Sequence, residues 1–234
     1  MINLCTFTGV DVRTDLDRVA DLAARYPFLE FGVLLSRTPE DKDARYPTFS
    51  EIERIVSRLA GRASLALHVC GRAVGEFVNG ASDIAALVSA GVGRVQLNFV
   101  LPKSPFSIGE LDTAIGSSSA DVITQHFPSN AELASAIMSS NHQVLFDTSG
   151  GRGVEAEAYV APFAGKRTGY AGGMGPENVG ESARKVVAVS GSAPVWIDME
   201  NRIRTDGYLD LSKCETVARI VAPMVGTIDP GAAA

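Results

Sequence analysis

The sequence predicts one (β/α)8-barrel domain over residues 1–234, and three observations support it. Short apolar runs rich in Val, Leu, Ile and Phe alternate with longer stretches of helical period, about eight times along the chain. This alternation is typical of βαβ units around a parallel sheet. The length of 234 residues suits a barrel of roughly 200–250 residues, and 46% hydrophobic residues suffice for a sizeable core. A doubly wound open sheet is the main rival, and its first and last strands would not pair.

The apolar runs predict eight strands in order. They begin near Ile2, Phe28, Ser64, Arg94, Asp121, His142, Arg167 and Pro194. Helical periods fill the intervals between these strands. Three helix starts carry capping signals, which are the boxes Thr48 to Glu51 and Ser129 to Glu132 and the proline Pro176. Residues 150–166 are poor in helix signals, so the sixth crossover is predicted to be mostly loop.

Charge and cysteine content narrow the classes of partner. The formal charge of −6 and the pI near 5.1 argue against nucleic acid and anionic membranes, because neither would attract this chain at long range. The three cysteines fit neither a disulfide framework nor a metal-binding spacing. The amino terminus lacks a secretory pattern, and no apolar run approaches the ~18 residues that span a bilayer. We therefore expect a cytoplasmic monomer or homodimer that acts on a small molecule.

Side-chain parity predicts a polar barrel interior. Alternate residues of a strand face the helices and the interior, and the larger apolar set should face the helices. On the third strand this rule turns Ala66, His68 and Cys70 inward. His126 is a further candidate on the fifth strand. The inward set predicted from the other strands is Asn3, Cys5, Glu30, Gly32, Gln96, Asn98, Gln143, Asp147, Trp196, Asp198 and Glu200.

This interior is more polar than a scaffold requires. Each unpaired buried polar group costs about 1–3 kcal/mol, so a barrel without a site is filled by branched aliphatic residues. Taken singly, Cys5 could be a small buried apolar residue, His68 a structural histidine and Asp147 a turn residue. Glu30 and Glu200 could form ordinary ion pairs with arginines. Their shared parity on distant strands indicates instead an active site at the carboxyl ends of the strands.

Three segments carry a pattern of their own. The first strand contains Leu4-Cys5, residues 145–153 read Leu-Phe-Asp-Thr-Ser-Gly-Gly-Arg-Gly, and residues 171–179 read Ala-Gly-Gly-Met-Gly-Pro-Glu-Asn-Val. Together they resemble phosphoribosylanthranilate isomerase, the (β/α)8-barrel enzyme of tryptophan biosynthesis that performs an Amadori rearrangement. That family has Lys-Ile-Cys-Gly at its first strand end and Gly-Gly-Leu-x-Pro-Glu-Asn-Val later, the most specific of the three. Arg45-Tyr46 resembles a further pair of that family.

The resemblance implies an isomerase that acts on an aminosugar phosphate and needs no cofactor. Asp147 would be the general acid at the ring oxygen. Cys5 would be the general base that removes the C2 proton, in its thiolate form. Gly172 and Gly173 would let backbone N–H groups approach a phosphate at the start of the following helix. Arg45 would bind a carboxylate of the substrate.

The eighth strand departs from the family. Where the family reads Val-Asp-Val-Ser-Ser-Gly-Val-Glu, residues 197–204 read Ile-Asp-Met-Glu-Asn-Arg-Ile-Arg. A carboxylate of Glu200 about 4 Å from a phosphate oxygen would be repelled by roughly 4 kcal/mol at an effective dielectric of ~20. Either Arg202 or Arg204 neutralises Glu200, or the ligand differs there. Two further departures, at Asn98 and Asn3, also concern the substrate. The predicted substrate-binding residues are Glu30, Arg45, His68, Asn98, Gly172, Gly173, Asp198, Glu200 and Arg202.

Two other functions fit the same polar interior. A metal-assisted epimerase, lyase or hydrolase could use oxygen and imidazole ligands, namely Glu30, His68, Asp198 and Glu200. A non-catalytic barrel could bind a metabolite and regulate a partner. The leading expectation is an isomerase of a phosphorylated small molecule, without a metal, with Cys5 and Asp147 as its catalytic pair.

Overall fold

The computed structural model describes residues 1–37 and 45–226. In this part of the chain, eight parallel strands close into a barrel in their order along the sequence. The first and last strands pair directly, with Cys5 beside Ile197. This closure confirms the predicted (β/α)8 barrel and excludes the open sheet. The strands are β1 (Ile2–Thr8), β2 (Leu29–Ser36), β3 (Ser64–Cys70), β4 (Arg94–Asn98), β5 (Asp121–His126), β6 (His142–Phe146), β7 (Thr168–Tyr170) and β8 (Val195–Met199).

Helices cover the outside of the barrel. They are α1 (Leu16–Arg25), α2 (Phe49–Leu59), α3 (Arg72–Val78), α4 (Ser82–Ser89), α5 (Ile108–Ser117), α6 (Leu133–Ala136), α7 (Val179–Ser190) and α8 (Leu211–Val221). Their apolar faces and the outer faces of the strands form the main hydrophobic core. No described helix is long and apolar enough to cross a membrane. A short antiparallel pair, β9 (Arg204–Thr205) and β10 (Tyr208–Leu209), follows β8.

The predicted helix starts differ in outcome. The capping box from Thr48 to Glu51 is present at the start of α2. The box predicted from Ser129 to Glu132 is wrong, because that segment forms a 3-10 turn whose buried Asn130 bonds the loop after β4. Between β6 and β7 the described residues form no helix, as predicted.

The helix predicted to begin at Pro176 begins three residues later, at Val179. The side-chain oxygen of Asn178 accepts the Gly175 N–H at 2.9 Å, and this bond closes a turn ahead of the helix. The Asn178 amide donates to the Gly173 carbonyl at 3.0 Å. Local side-chain bonds of this kind compete with helix formation, which explains the delayed start.

The parity rule predicts the inward-facing side chains correctly for most strands and wrongly for β1. Ile2 pairs with Val195, but Leu4 pairs with Trp196, so the register shifts between Ile2 and Leu4. An extra residue in one strand reverses the direction of every side chain after it. Leu4 therefore packs with the interior residue Trp196, whereas Cys5 joins the outer core.

The half of the barrel interior nearer the amino ends of the strands is filled by packed side chains and does not form a binding site. Trp196 is fully buried and lies against Gly169, where any Cβ would collide with the indole ring. Ile123 and Leu145 pack against the same ring. The Arg94 guanidinium stacks on it with 4.5 Å between its central carbon and the ring centroid. This layer separates the buried charges at the amino end from the open carboxyl end.

Candidate active site

A cavity of about 350 Å³ opens at the carboxyl ends of the strands, and we call it the mouth cavity. Its walls come from strand ends and from the loops that follow them, because parallel strands all end on one rim. Of the predicted site residues, eight line it: Arg45, His68, Asn98, Asp147, Gly172, Gly173, Asp198 and Glu200. Cys5, Glu30 and Arg202 are not among its described lining residues.

The floor of the mouth cavity is a buried hydrogen-bonded group of three side chains, which we call the Thr8 triad. The Thr8 hydroxyl donates to Asp198 Oδ1 at 2.9 Å. His68 Nε2 lies 3.3 Å from Thr8 Oγ1 and 3.9 Å from Asp198 Oδ2. All three residues are at least 95% buried. Gly32 makes room for them, because a Cβ there would lie 2.9 Å from both Thr8 Oγ1 and His68 Nε2.

Burial dominates the electrostatics of the triad. It raises the pKa of Asp198 well above its usual range, and this increase outweighs the opposing effects of the Thr8 hydrogen bond and of Arg94. The negative charges of Glu30 and Glu200 raise that pKa further. Burial also lowers the pKa of His68 to about 4. Burial therefore favours the neutral forms of both the Asp198 carboxyl group and the His68 imidazole.

Asp147 lies across the mouth cavity, directly after β6, and is 3% exposed. Its Oδ1 accepts hydrogen bonds from the Ser149 N–H at 3.0 Å and from the Ser149 hydroxyl at 2.7 Å. Its Oδ2 accepts from the Gly151 N–H at 2.6 Å. Asp147 therefore closes a turn, and this turn fixes its carboxyl group on the wall of the mouth cavity.

Arg45 forms an ion pair with Glu200, at 3.3 Å between Nη1 and Oε1. The sequence predicts that Arg202 or Arg204 neutralises Glu200, but the structure places Arg45 beside it. Arg204 is engaged with Asp11 at 3.6 Å and with backbone carbonyls, and the exposed Arg202 packs beside Gly175. Arg45 is therefore the cation that offsets Glu200 in the described part of the cavity.

Gly172 and Gly173 line the mouth cavity, but the side of each Cα atom on which a Cβ would attach faces the backbone of the loop after β6. A Cβ on Gly172 would lie 2.8 Å from the Val154 carbonyl oxygen, and one on Gly173 would lie 2.8 Å from the Glu155 nitrogen. Both glycines have positive φ angles, 119° and 57°. Close approach of the loop after β6 therefore accounts for these two glycines without any ligand.

The wall formed by β3 and β4 is a chain of polar groups. Gln96 donates from Nε2 to Asn98 Oδ1 at 2.9 Å, and Asn98 donates from Nδ2 to the Cys70 sulfur at 3.3 Å. Asn98 is thus held by its neighbours with its amide at the cavity, as its parity predicts.

The structure places Cys5 outside the mouth cavity, whereas the resemblance implies that it is the catalytic base. Its side chain is fully buried in the outer core. Burial raises the pKa of Cys5 well above its ordinary value, with Cys214 adding to the increase. A thiol without water or cation contact stays protonated and unreactive. The shifted register of β1 is the physical reason.

Glu30 faces the interior as predicted, but it is not part of the cavity. It lies at the amino end and binds Arg94 through two hydrogen bonds, of 2.8 and 2.5 Å. Burial alone would raise its pKa, but Arg94 and Thr6 together lower it. The Arg94 guanidinium also donates to Gln143 at 3.1 Å. Glu30 is therefore half of a buried ion pair. It lies too deep in the barrel to line the mouth cavity, where substrate binding was expected.

The four residues of the metal-assisted alternative do not converge. Arg94 engages Glu30 and Arg45 engages Glu200, at different depths of the barrel. Within residues 1–37 and 45–226, no group of three or more His, Cys, Asp or Glu side chains is arranged to hold a metal ion.

Sequence reasoning missed several polar residues of the interior, among them Thr6, Thr8, Arg94 and Gln125. Thr8 was missed because the parity of β1 was predicted wrongly. Gln125 lines the cavity in place of its neighbour His126. His126 instead packs against Phe146 and Phe163 outside the barrel. Arg94 could have been found, because it shares parity with Gln96 and Asn98. The Thr8-Gly9 dipeptide also matches the Cys-Gly strand end quoted above, with threonine in place of cysteine.

No protein-family profile and no curated protein sequence matches the chain. Solved structures do. Phosphoribosylanthranilate isomerase from Thermus thermophilus is 19% identical, with a TM-score of 0.61 and coverage of 94% of this chain and 99% of that one. The enzyme from Thermotoga maritima is 16% identical, with a TM-score of 0.63 and coverage of 95% and 100%. The enzyme from Pyrococcus furiosus is 17% identical, with a TM-score of 0.58 and coverage of 94% and 98%. The chain thus has the fold of phosphoribosylanthranilate isomerases, as its motifs indicate.

Proposed function

We propose that this protein is an intramolecular isomerase of the aldose-ketose, Amadori type, which acts on a small aminosugar phosphate and uses the carboxyl groups of Asp147 and Asp198 as its acid–base pair. The observation that carries the proposal is the placement of these two carboxyl groups. They line one cavity at the carboxyl end of the barrel, in contrasting environments. Contrasting environments allow one carboxyl group to donate a proton and the other to accept one.

The chemistry requires two such groups. Opening an aminofuranose ring needs a proton at the ring oxygen, and the next step needs a base at C2. Cys5 cannot supply that base from the outer core, so the base must come from the cavity. The proposed reaction shifts hydrogen within one molecule, and therefore consumes no oxidant and requires no cofactor.

Arg45 supports an anionic substrate. Its contact with Glu200 is 3.3 Å long, and the two side chains are 35% and 25% exposed. A partly exposed pair of this kind contributes only about 0–1 kcal/mol, so an incoming carboxylate or phosphate can replace Glu200 at low cost. We propose that the substrate's acidic group binds Arg45 in this way, with Gly172 and Gly173 and the exposed Arg202 at the same rim. Such an enzyme would work in the cytoplasm, as a monomer or homodimer.

The experiment follows the fluorescence of anthranilate-type compounds while the purified protein is given freshly made phosphoribosylanthranilate. We expect turnover that falls by about 10²–10⁴-fold in Asp147→Asn and in Asp198→Asn. Cys5→Ala is the matched control and should retain kcat. Tight binding without turnover would contradict catalysis and support a binding barrel, and turnover lost in Cys5→Ala alone would refute the pair named here.

A further inference from the structure

We propose that Asp198 is the proton donor of this site and that His68 and Thr8 are positioning residues, which fix its acidic proton on Oδ2. The inference rests on the proposed function, because it assigns roles within the proposed pair. Asp147 then takes the role of base, which reverses the role that the resemblance implies for it.

Counting protons within the Thr8 triad gives the arrangement. The Thr8 hydroxyl has one proton, which it donates to Asp198 Oδ1 at 2.9 Å. The contact of 3.3 Å between Thr8 Oγ1 and His68 Nε2 must therefore use a proton on the imidazole nitrogen. Hydrogen bonds thus run from His68 through Thr8 to Asp198. With Oδ1 occupied as an acceptor, the carboxyl proton resides on Oδ2.

The second oxygen of Asp198 has no hydrogen-bond partner. Oδ2 is buried and unpaired among the described residues, although Asp198 lines the mouth cavity. An unpaired buried donor of this kind costs about 1–3 kcal/mol and persists where a ligand completes it. We assign the substrate's ring oxygen as the acceptor that Oδ2 lacks.

The charged groups around Asp198 favour this role. Glu30 and Glu200 raise its pKa and Arg94 lowers it, while burial is the largest effect and favours the neutral carboxyl group. His68 is neutral, so it does not attract the proton away. After proton transfer, the hydrogen bond from Thr8 stabilises the new carboxylate, because hydrogen bonds to charged acceptors are stronger.

Asp147 has the opposite environment, which suits a base. Its two oxygens accept three hydrogen bonds from Ser149 and Gly151. These donors fix the carboxyl group at the cavity wall.

The proton balance closes over one turnover. The Asp198 proton moves to the ring oxygen as the bond between that oxygen and C1 breaks, and the nitrogen lone pair forms the C1–N double bond. Asp147 removes the C2 proton, the electron pair of that bond forms the C1–C2 double bond, and the π pair of the C1–N double bond returns to nitrogen. Asp147 then returns the proton to C1. The O2 hydroxyl proton passes to Asp198 as the ketone forms, which restores the acid.

The protonation state can be measured without turnover. Infrared spectra of the full chain in H2O and D2O should show a deuterium-sensitive C=O band of a neutral carboxyl group at neutral pH. We expect this band to disappear in Asp198→Asn and to persist in Asp147→Asn. A wild-type protein without the band, or a band that persists in Asp198→Asn, would overturn the assignment.

Kinetics with phosphoribosylanthranilate test the positioning residues. Thr8→Val should lower kcat by about 10- to 100-fold with little change in KM, because it removes a hydrogen bond to a charged intermediate. It should also shift the alkaline limb of the pH profile upward, since the Thr8 bond lowers the pKa of Asp198. Thr8→Ser should restore most of kcat, and His68→Gln should retain more than His68→Leu.

Thr124→Val is the matched control. Thr124 forms another buried hydrogen bond to a histidine, at 2.9 Å to His142, on the outer side of the barrel. This variant should keep kcat and the pH profile. A Thr8→Val enzyme with unchanged kcat and alkaline limb would overturn the positioning role. If the infrared band is present but the wild type does not turn over the probe, the proposed substrate fails while the protonated acid stands.

Discussion

Arg94→Met tests whether the amino end of the barrel interior is structural. Arg94 lies 5% exposed between Glu30, Thr6 and Gln143, and donates hydrogen bonds to all three. Methionine fills a similar volume but leaves Glu30 charged and without its partner. Breaking a buried ion pair in this way costs about 3–5 kcal/mol. For a chain of this length the midpoint of thermal unfolding should fall by roughly 6–20 °C.

The pH dependence of the loss has a definite sign. In the wild type the pKa of Glu30 is lowered, so its contribution to stability is present at neutral pH and is lost as the pH falls through that lowered value. In Arg94→Met both effects of Arg94 are lost, and burial, the largest effect, raises the pKa of Glu30 against the smaller effects of the Thr6 hydrogen bond and His68. The stability deficit should then be greatest at neutral pH and should shrink as acid protonates Glu30.

Denaturant unfolding at neutral and mildly acidic pH measures both effects. The double variant Glu30→Gln/Arg94→Met should recover most of the lost stability, because no buried charge remains. Lys185→Met is the control, since its pair with Glu181 is exposed to solvent and contributes little to stability. A loss in Arg94→Met no larger than in Lys185→Met, or one that grows with acid, would refute the buried-pair reasoning.

Three further predictions concern separate parts of the chain. Cys5 should not react with a thiol reagent until the protein unfolds, and labelling of the native protein at Cys5, followed by mass spectrometry, would contradict its burial. Glu200→Gln should strengthen the binding of inorganic phosphate by roughly tenfold, because it removes a negative charge beside Arg45; calorimetry that finds equal or weaker binding would argue against Arg45 as the anion site. His142→Gln should reduce the loss of stability between neutral pH and pH 4. Burial lowers the pKa of His142 in the folded protein to about 4, so its contribution to stability is present above the pKa of the unfolded state and is lost as the pH falls. Acid-unfolding curves that coincide with the wild type would contradict this.

Local sequence patterns predicted the barrel and most of the residues on its inner face. Alternating periods of two and 3.6 residues specify strands and helices locally, and eight such units of this length have few ways to pack other than a closed barrel. Parity placed His68, Asn98 and Asp198 inward, because a strand of regular pleat leaves no choice of face. The same rule also placed Glu30 inward, correctly, though it could not say how deep.

The chemistry of the site depends on contacts between distant parts of the chain. The register shift after Ile2 depends on how β1 meets β8, a contact between the two ends of the barrel that no local pattern records. That single shift removes Cys5 from the interior and brings Thr8 to Asp198. Depth along the barrel axis depends in the same way on the stagger of all eight strands, and it separates the ion pair of Glu30 from the open carboxyl end. Local sequence fixes which residues share a face, whereas closure of the ring fixes which of them meet.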